Sequence, residues 1–166
     1  NMVIGTFTIQ AGMGCRVVPG NLGFLMNNSL SYFSLDPRSP NVVAPRKRPE
    51  WPMANLIVLR DNKPLLAIGA PGGHGITQTV PQTLLNIIEF GMDIQFAIEA
   101  PRFRLMPEYR SYPEKGVSMV IRPETRISRD VMDALEARGH KVEPYDQWGP
   151  GVGSMSGILI HPKSGV

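Results

Sequence analysis

Gly69-Ala70-Pro71-Gly72-Gly73 stands between an apolar, β-branched run and a run with helical spacing, and this position constrains the fold more than any other stretch. Residues 55–60 and 64–69 read as two strands around the polar turn Asp61-Asn62-Lys63. Ile76, Val80, Leu84, Ile87 and Ile88 then recur at helical spacing, in a helix expected over about 75–90. A hairpin therefore feeds a glycine turn that opens a helix. Glycines, lacking Cβ, let a ligand oxygen reach main-chain N–H groups, and the first helical turn adds unpaired donors at the positive end of the dipole. Such a turn can cradle an oxyanion or a phosphate. A Pro-Gly-Gly connection is equally ordinary turn chemistry, so the motif alone leaves both readings open.

Elsewhere, residues 2–10 are rich in Val, Ile, Thr and Phe and predict a strand with Thr6, Thr8 and Gln10 on one face. Gly12, Gly14, Pro19, Gly20 and Gly23 interrupt regularity before Phe24-Leu25-Met26, and Asn27-Asn28 opens a polar segment. Residues 34–52 read as one long loop. Pro81 would disturb the central helix unless it lies in the first turn. A short helix is expected over 94–100, ended by Pro101; a third is capped by Ser128, with Val131, Met132 and Leu135 inward, and stops at Gly139. Residues 118–121 and 155–160 look like further strands. The order of strands, helices and strands suits a layered α+β sandwich.

With 166 residues, 42% hydrophobic and 19% charged, the chain is ordinary globular material, long enough for one core and expected to form one domain. No apolar run approaches the roughly 20 residues a bilayer span needs, and the N-terminus lacks the order of a signal peptide. The single cysteine, Cys15, excludes an intrachain disulfide and is expected as a small core residue; His74, His140 and His161 lack ligand spacing, so no metal is expected. His74, beside the glycine turn, reads either as a donor to a substrate oxygen or as a solvated residue at the helix start. The net charge of +3 concentrates at Arg46-Lys47-Arg48, but the cluster is short, bracketed by Pro45 and Pro49, and has no interleaved aromatics. It predicts a surface loop and no nucleic-acid partner.

Read in order, Gly23-Phe24-Leu25-Met26-Asn27-Asn28, Phe33-Ser34, Pro45-Arg46-Lys47-Arg48-Pro49, the glycine turn, Phe90-Gly91-Met92-Asp93, Ala97-Ile98-Glu99-Ala100-Pro101-Arg102-Phe103 and Leu135-Glu136-Ala137-Arg138-Gly139-His140-Lys141-Val142 resemble the small subunit of the γ-glutamyltranspeptidase family. The resemblance covers nearly the whole chain. It implies an α+β N-terminal nucleophile hydrolase with a four-layer αββα sandwich, of which residues 1–166 are the small-subunit portion. The large subunit, from the same self-cleaved precursor, would be the partner. Any targeting signal would lie on the upstream part, which leaves localisation open.

In that family the nucleophile is a threonine freed as the first residue of the small subunit, its own α-amino group serving as base. Here the first residue is Asn1, and Asn1-Met2-Val3 resembles the turn and second strand that follow the nucleophile. The resemblance implies a threonine about a dozen residues upstream. It also puts the supporting hydroxyl on Thr8 and the oxyanion amides on Gly72 and Gly73, where the local physics of the turn agrees independently.

The substrate positions depart from the family pattern. Family donors are gripped by an asparagine, a glutamine, an aspartate and a serine pair. Gln10 stands at the asparagine position, Asn28 is kept, Ser29 replaces the glutamine, Tyr32 the aspartate, and Trp51-Pro52 the serine pair. Loss of a buried ion-pair partner costs about 3–5 kcal/mol, roughly two to three decades of binding or more, so a γ-glutamyl donor is disfavoured. Tyr32 and Trp51 offer flat apolar surface with a polar edge, or else a repacked core beneath a loop. The expectation is therefore an amidohydrolase or acyltransferase cleaving a C–N amide through an acyl-threonine, with no metal or organic cofactor. Its rivals are a true γ-glutamyl transferase or hydrolase, and an inactive relative kept for binding or scaffolding.

Overall fold

The computed structural model describes residues 2–10, 12–107, 119–148 and 152–160. The chain divides into two compact units, one over Gly5–Pro52 and a larger one made of Asn1–Ile4 and Met53–Val166.

In the larger unit, β1 (Leu56–Arg60) and β2 (Lys63–Gly69) form the expected antiparallel hairpin. Its turn residues Asp61 and Asn62 have φ of 51° and 60°. This paired left-handed geometry matches the twist of the flanking strands, and Asp and Asn tolerate it. β6 (Ser156–Leu159) pairs antiparallel with the other edge of β2, which is thus the middle strand. Leu66 and Ile68 from β2, Ile76 and Val80 from helix α1 (Ile76–Ile88), and Ala70 and Met155 form one buried cluster. Each fully buried aliphatic side chain contributes about 1.5–3 kcal/mol, so this cluster fixes the helix on the sheet and with it the turn between them. Leu84 and Ile87 pack against the cluster as expected, whereas Ile88 is exposed.

Pro81 lies inside α1 and not in its first turn. Its missing N–H forfeits the bond to the Thr77 carbonyl, a loss that burial of Thr79, Val80 and Thr83 offsets. The Thr79 and Thr83 hydroxyls donate to the carbonyls of Gly75 and Thr79 at 3.1 and 3.3 Å. Helix α2 (Ile94–Glu99) begins at Asp93, whose carboxylate accepts the Gln95 N–H at 2.8 Å, and stops before Pro101.

A second sheet has the order β3 (Phe103–Pro107), β4 (Met119–Pro123), β5 (Lys141–Val142), antiparallel then parallel, with α3 (Arg129–Ala137) in the crossover. β4 runs two residues beyond its expected end, and Ser118 lies outside the described residues. β3 and β5 were not legible in the sequence. Around β3 the usual pattern is inverted, with Arg102 and Arg104 buried and Phe103 and Leu105 exposed. Two glutamines one helical turn apart on α1 complete the edge of this strand. The Gln78 side chain accepts the Leu105 N–H at 2.7 Å and donates to its carbonyl at 3.0 Å. Gln82 does the same for Phe103 at 3.1 and 2.9 Å. The helix thus supplies the hydrogen bonds that a further strand would make, and covers an edge otherwise open to pairing. In α3, Met132 is buried and Leu135 half-buried, but Val131, expected inward, is exposed: this nine-residue helix presents only a narrow apolar stripe. Ser128 occupies the N-cap position with an extended backbone, yet its side chain makes no cap hydrogen bond. Gly139, at φ 88°, follows the helix end as expected.

Residues 2–10 form no strand. Their β propensity meets no ladder partner among the described residues, and propensity without pairing does not hold a strand. Instead the Thr8 hydroxyl accepts the Gln10 N–H at 3.0 Å, and Gln10 turns the chain at φ 78°. Cys15 is exposed, contrary to its expected place in a core: it lies in a tight turn whose N–H donates to the Met26 carbonyl at 3.0 Å. After the short 3-10 turn Ser29–Tyr32, residues 34–52 run as the expected loop, closed by a bridge between Ser34 and Val42. Within it the Arg38 guanidinium beside Asp36 holds that carboxyl below its ordinary range. No helix among the described residues is long and apolar enough to cross a membrane.

Candidate active site

The glycine turn is built by its flanks. β2 delivers the chain buried as far as Ala70, and a 3-10 turn over Gly73–Gly75 leads into α1. Gly72 has φ 139° and Gly73 φ 58°, conformations that side chains with Cβ rarely adopt. The Gly72 carbonyl accepts the Gly75 N–H at 3.2 Å. The two sides of the turn differ. A Cβ at Gly73 would meet nothing within 4 Å, while one at Gly72 would lie 3.2 Å from the Cα of Gly153. The turn is therefore open on one side and packed on the other. Neither the Gly72 nor the Gly73 amide donates a hydrogen bond to any described residue. Two adjacent N–H groups at a strand-to-helix turn, next to open space, can stabilise a developing oxyanion. His74 is exposed in the same turn.

Behind the turn lies a buried charge cluster that no local sequence pattern marks. Arg102 is 4% exposed. Its Nη1 and Nη2 donate to the carbonyls of Val152 and Gly153 at 3.2 and 3.1 Å. Glu124, fully buried, accepts the Arg102 main-chain N–H at 2.9 Å and Arg126 Nη2 at 2.6 Å on the same carboxylate oxygen. Arg126 in turn lies 3.7 Å over the Trp148 ring. Burial pushes the Arg102 guanidinium below its ordinary pKa, with Arg126 acting in the same sense and Glu124 opposing. Arg102 belongs to a motif that carries the family resemblance, but nothing in its neighbours announces a partner some fifty residues later.

The remaining expected residues, Thr8, Gln10, Asn28, Ser29, Tyr32, Trp51 and Pro52, all belong to the smaller unit. The structure brings several of them together there. The Asn28 N–H donates to the Ile9 carbonyl at 3.3 Å, which sets Thr8 and Gln10 beside Asn28 and Ser29. The Ser29 N–H is held by the Asn27 side chain at 3.0 Å. Gln10 Oε1 and Ser29 Oγ are both buried without a hydrogen-bond partner. Tyr32 and Trp51 meet edge to face with ring centroids 5.4 Å apart. Asn41 fixes this pair's surroundings: its Nδ2 donates to the Tyr32 carbonyl at 2.6 Å and its Oδ1 accepts the Glu50 N–H at 3.2 Å.

Comparison with known proteins places these features in a family. The glutathione hydrolase proenzyme of Escherichia coli strain K12 is 34% identical over 98% of this chain and 27% of its own length. Acylase ACY 1 proenzyme of Pseudomonas sp. strain SE83 is 34% identical over 98% of the chain and 26% of its own. The chain thus spans about a quarter of these curated relatives. Among solved structures, a mutant γ-glutamyltranspeptidase of Helicobacter pylori superposes with a TM-score of 0.81 at 32% identity, over 99% of this chain and 87% of that one. The α+β fold is accordingly that of the N-terminal nucleophile hydrolases, in its small-subunit portion. The family model for gamma-glutamyltranspeptidase matches residues 1–165, and the chain belongs to that family.

Proposed function

We propose that this chain is a single-domain small-subunit portion of a two-chain amidohydrolase or acyltransferase that cleaves a C–N amide. The partner is the large chain of the same precursor, and the nucleophile is a threonine upstream of Asn1. The threonine hydroxyl attacks the amide carbonyl, giving up its proton to its own α-amino group. The tetrahedral oxyanion rests on the Gly72 and Gly73 amides, the amine leaves with a proton, and an acyl-threonine remains. Thr8 orients the nucleophile. Water or a second amine then takes the acyl group. The observation that carries this reading is the open glycine turn with its two unused donors. Exposed apolar surface supports a second chain: Ile57 and Ile158 flank the buried Ala67 on one side of the first sheet and are 44% and 63% exposed.

The acyl group recognised here is flatter or more apolar than γ-glutamyl. The resemblance places Tyr32 and Trp51-Pro52 where the family has an aspartate and two serines, and the packed aromatic pair offers stacking surface in place of a carboxylate. Gln10 Oε1 and Ser29 Oγ, buried and unpaired, suit a neutral polar group on the substrate. The name of the Pseudomonas relative, an acylase, agrees with cleavage of an amide by acyl transfer.

The test is competition on the processed two-chain enzyme between a γ-glutamyl anilide and anilides of aromatic and aliphatic acids, read as kcat/KM. The aromatic or aliphatic substrate is expected to win. A γ-glutamyl preference above tenfold would overturn the pocket reading in favour of a true γ-glutamyl enzyme. No turnover of any amide by a correctly cleaved enzyme would point to the binding or scaffold relative.

A further inference from the structure

The Gly153 backbone stands against the back of the glycine turn. Its φ is 74°, and a Cβ there would lie 2.0 Å from the Pro71 carbonyl oxygen and 3.4 Å from the Gly72 Cα. The two backbones touch because neither residue has a side chain at the contact. The segment that carries Gly153 has the buried Val152 on one side and on another a cavity of about 290 Å³, lined by Ile98, Arg102, Trp148, Val152 and Met155 among others. Arg102 anchors it by hydrogen bonds. That guanidinium grips two successive carbonyls, those of Val152 and Gly153. Its own backbone is tied to the buried Glu124 in both directions: Arg102 N–H donates to the Glu124 carboxylate at 2.9 Å, and Glu124 N–H donates to the Arg102 carbonyl at 3.0 Å. The planar fork of arginine matches two adjacent acceptors, a geometry that the single ammonium of lysine does not reproduce.

We propose that Arg102 and Gly153 are positioning residues for the reaction: through the Val152–Gly153 segment they set the direction of the Gly72 and Gly73 amides. Neither touches the reacting atoms. The inference rests on the reading of that turn as the oxyanion cradle. Donors aimed at an oxyanion lose much of their effect for small misplacements, and the loss falls on the transition state more than on the bound substrate.

The experiment uses the assembled enzyme from co-expressed mature chains, the small chain starting at the upstream threonine, so that self-cleavage is bypassed. Arg102→Lys, Gly153→Ala and the turn variant Gly73→Pro are each assayed on the preferred amide. The expected result is a 10- to 100-fold loss of kcat in Arg102→Lys and Gly153→Ala, with KM within twofold of the parent. The split matters, because a residue serving stability alone would lower the amount of active enzyme without lowering turnover per active site titrated. If Gly153→Ala does not assemble, Arg102→Lys decides, as it adds no atom to the contact. Full kcat in assembled Arg102→Lys, alongside a crippled Gly73→Pro, would overturn the support and leave the oxyanion reading standing. Full kcat in assembled Gly73→Pro would overturn the oxyanion reading, and this inference with it.

Discussion

Replacing Glu124 by Gln removes one charge and almost no volume from the most buried ionic cluster described. The carboxylate is fully buried and holds Arg126 Nη2 at 2.6 Å and the Arg102 N–H at 2.9 Å, and its charge also acts on the guanidinium of Arg102, a residue 4% exposed. With glutamine, the amide oxygen can keep both hydrogen bonds but no longer neutralises two guanidinium groups. Opposite charges about 4 Å apart attract by about 4 kcal/mol at an effective dielectric of about 20. Breaking a buried pair from one side costs about 3–5 kcal/mol, because the surviving charge stays desolvated. Arg126 retains some access to water, its side chain being 18% exposed, which favours the lower figure. We expect Glu124→Gln to lose about 3 kcal/mol. The assay is urea unfolding of the assembled enzyme followed by Trp148 fluorescence, since that ring lies under Arg126. Arg126→Gln and the double variant complete a cycle. If the electrostatic account holds, the double variant is less damaged than the sum of the singles by more than 1 kcal/mol. A loss below about 1 kcal/mol in Glu124→Gln, or additive singles, would refute it.

Two further outcomes are open to direct measurement. Gln78→Leu and Gln82→Leu each remove two hydrogen bonds to the β3 edge; at about 0.5–1.5 kcal/mol net per bond, each should lose about 1–3 kcal/mol, and the double variant should aggregate faster by light scattering. The chain expressed alone should show no amidase activity and should self-associate in sedimentation velocity, whereas a soluble, active monomer would contradict a two-chain catalytic unit.

The first sheet and its helix were legible because local and tertiary signals agree there. The Asp61-Asn62 turn, the β-branched strands and the stripe from Ile76 to Ile87 each state the geometry that the structure has. Of the second sheet only β4 was legible, and β3 was missed for a specific reason. Binary patterning assumes that apolar residues face the core, yet β3 buries Arg104 and exposes Phe103 and Leu105, and its edge partner is a pair of helix glutamines. No periodicity anticipates such a strand. Residues 2–10 failed in the opposite way: their propensity is that of a strand, but a strand is a relation between two segments, and no described segment pairs with this one.

The same contrast divides the candidate site. The glycine turn announces itself locally, since only glycine sits comfortably at φ 139° and 58°, and its position between strand and helix follows from the flanking pattern. Its support does not, because the grip of Arg102 on Gly153 spans fifty-one residues of chain and depends on burial that no spacing encodes. The donors for the transition state and their support also lie in a different compact unit from Gln10, Ser29, Tyr32 and Trp51. On the proposed reading, substitutions at the acyl pocket leave the hydrogen bonds that shape the oxyanion turn untouched. The hydrogen bonds described around Arg102, Gly153 and the turn all come from residues other than those of the acyl pocket, and on the proposed reading this gives a physical route by which one scaffold keeps its amide chemistry while the acyl group it accepts moves away from γ-glutamyl.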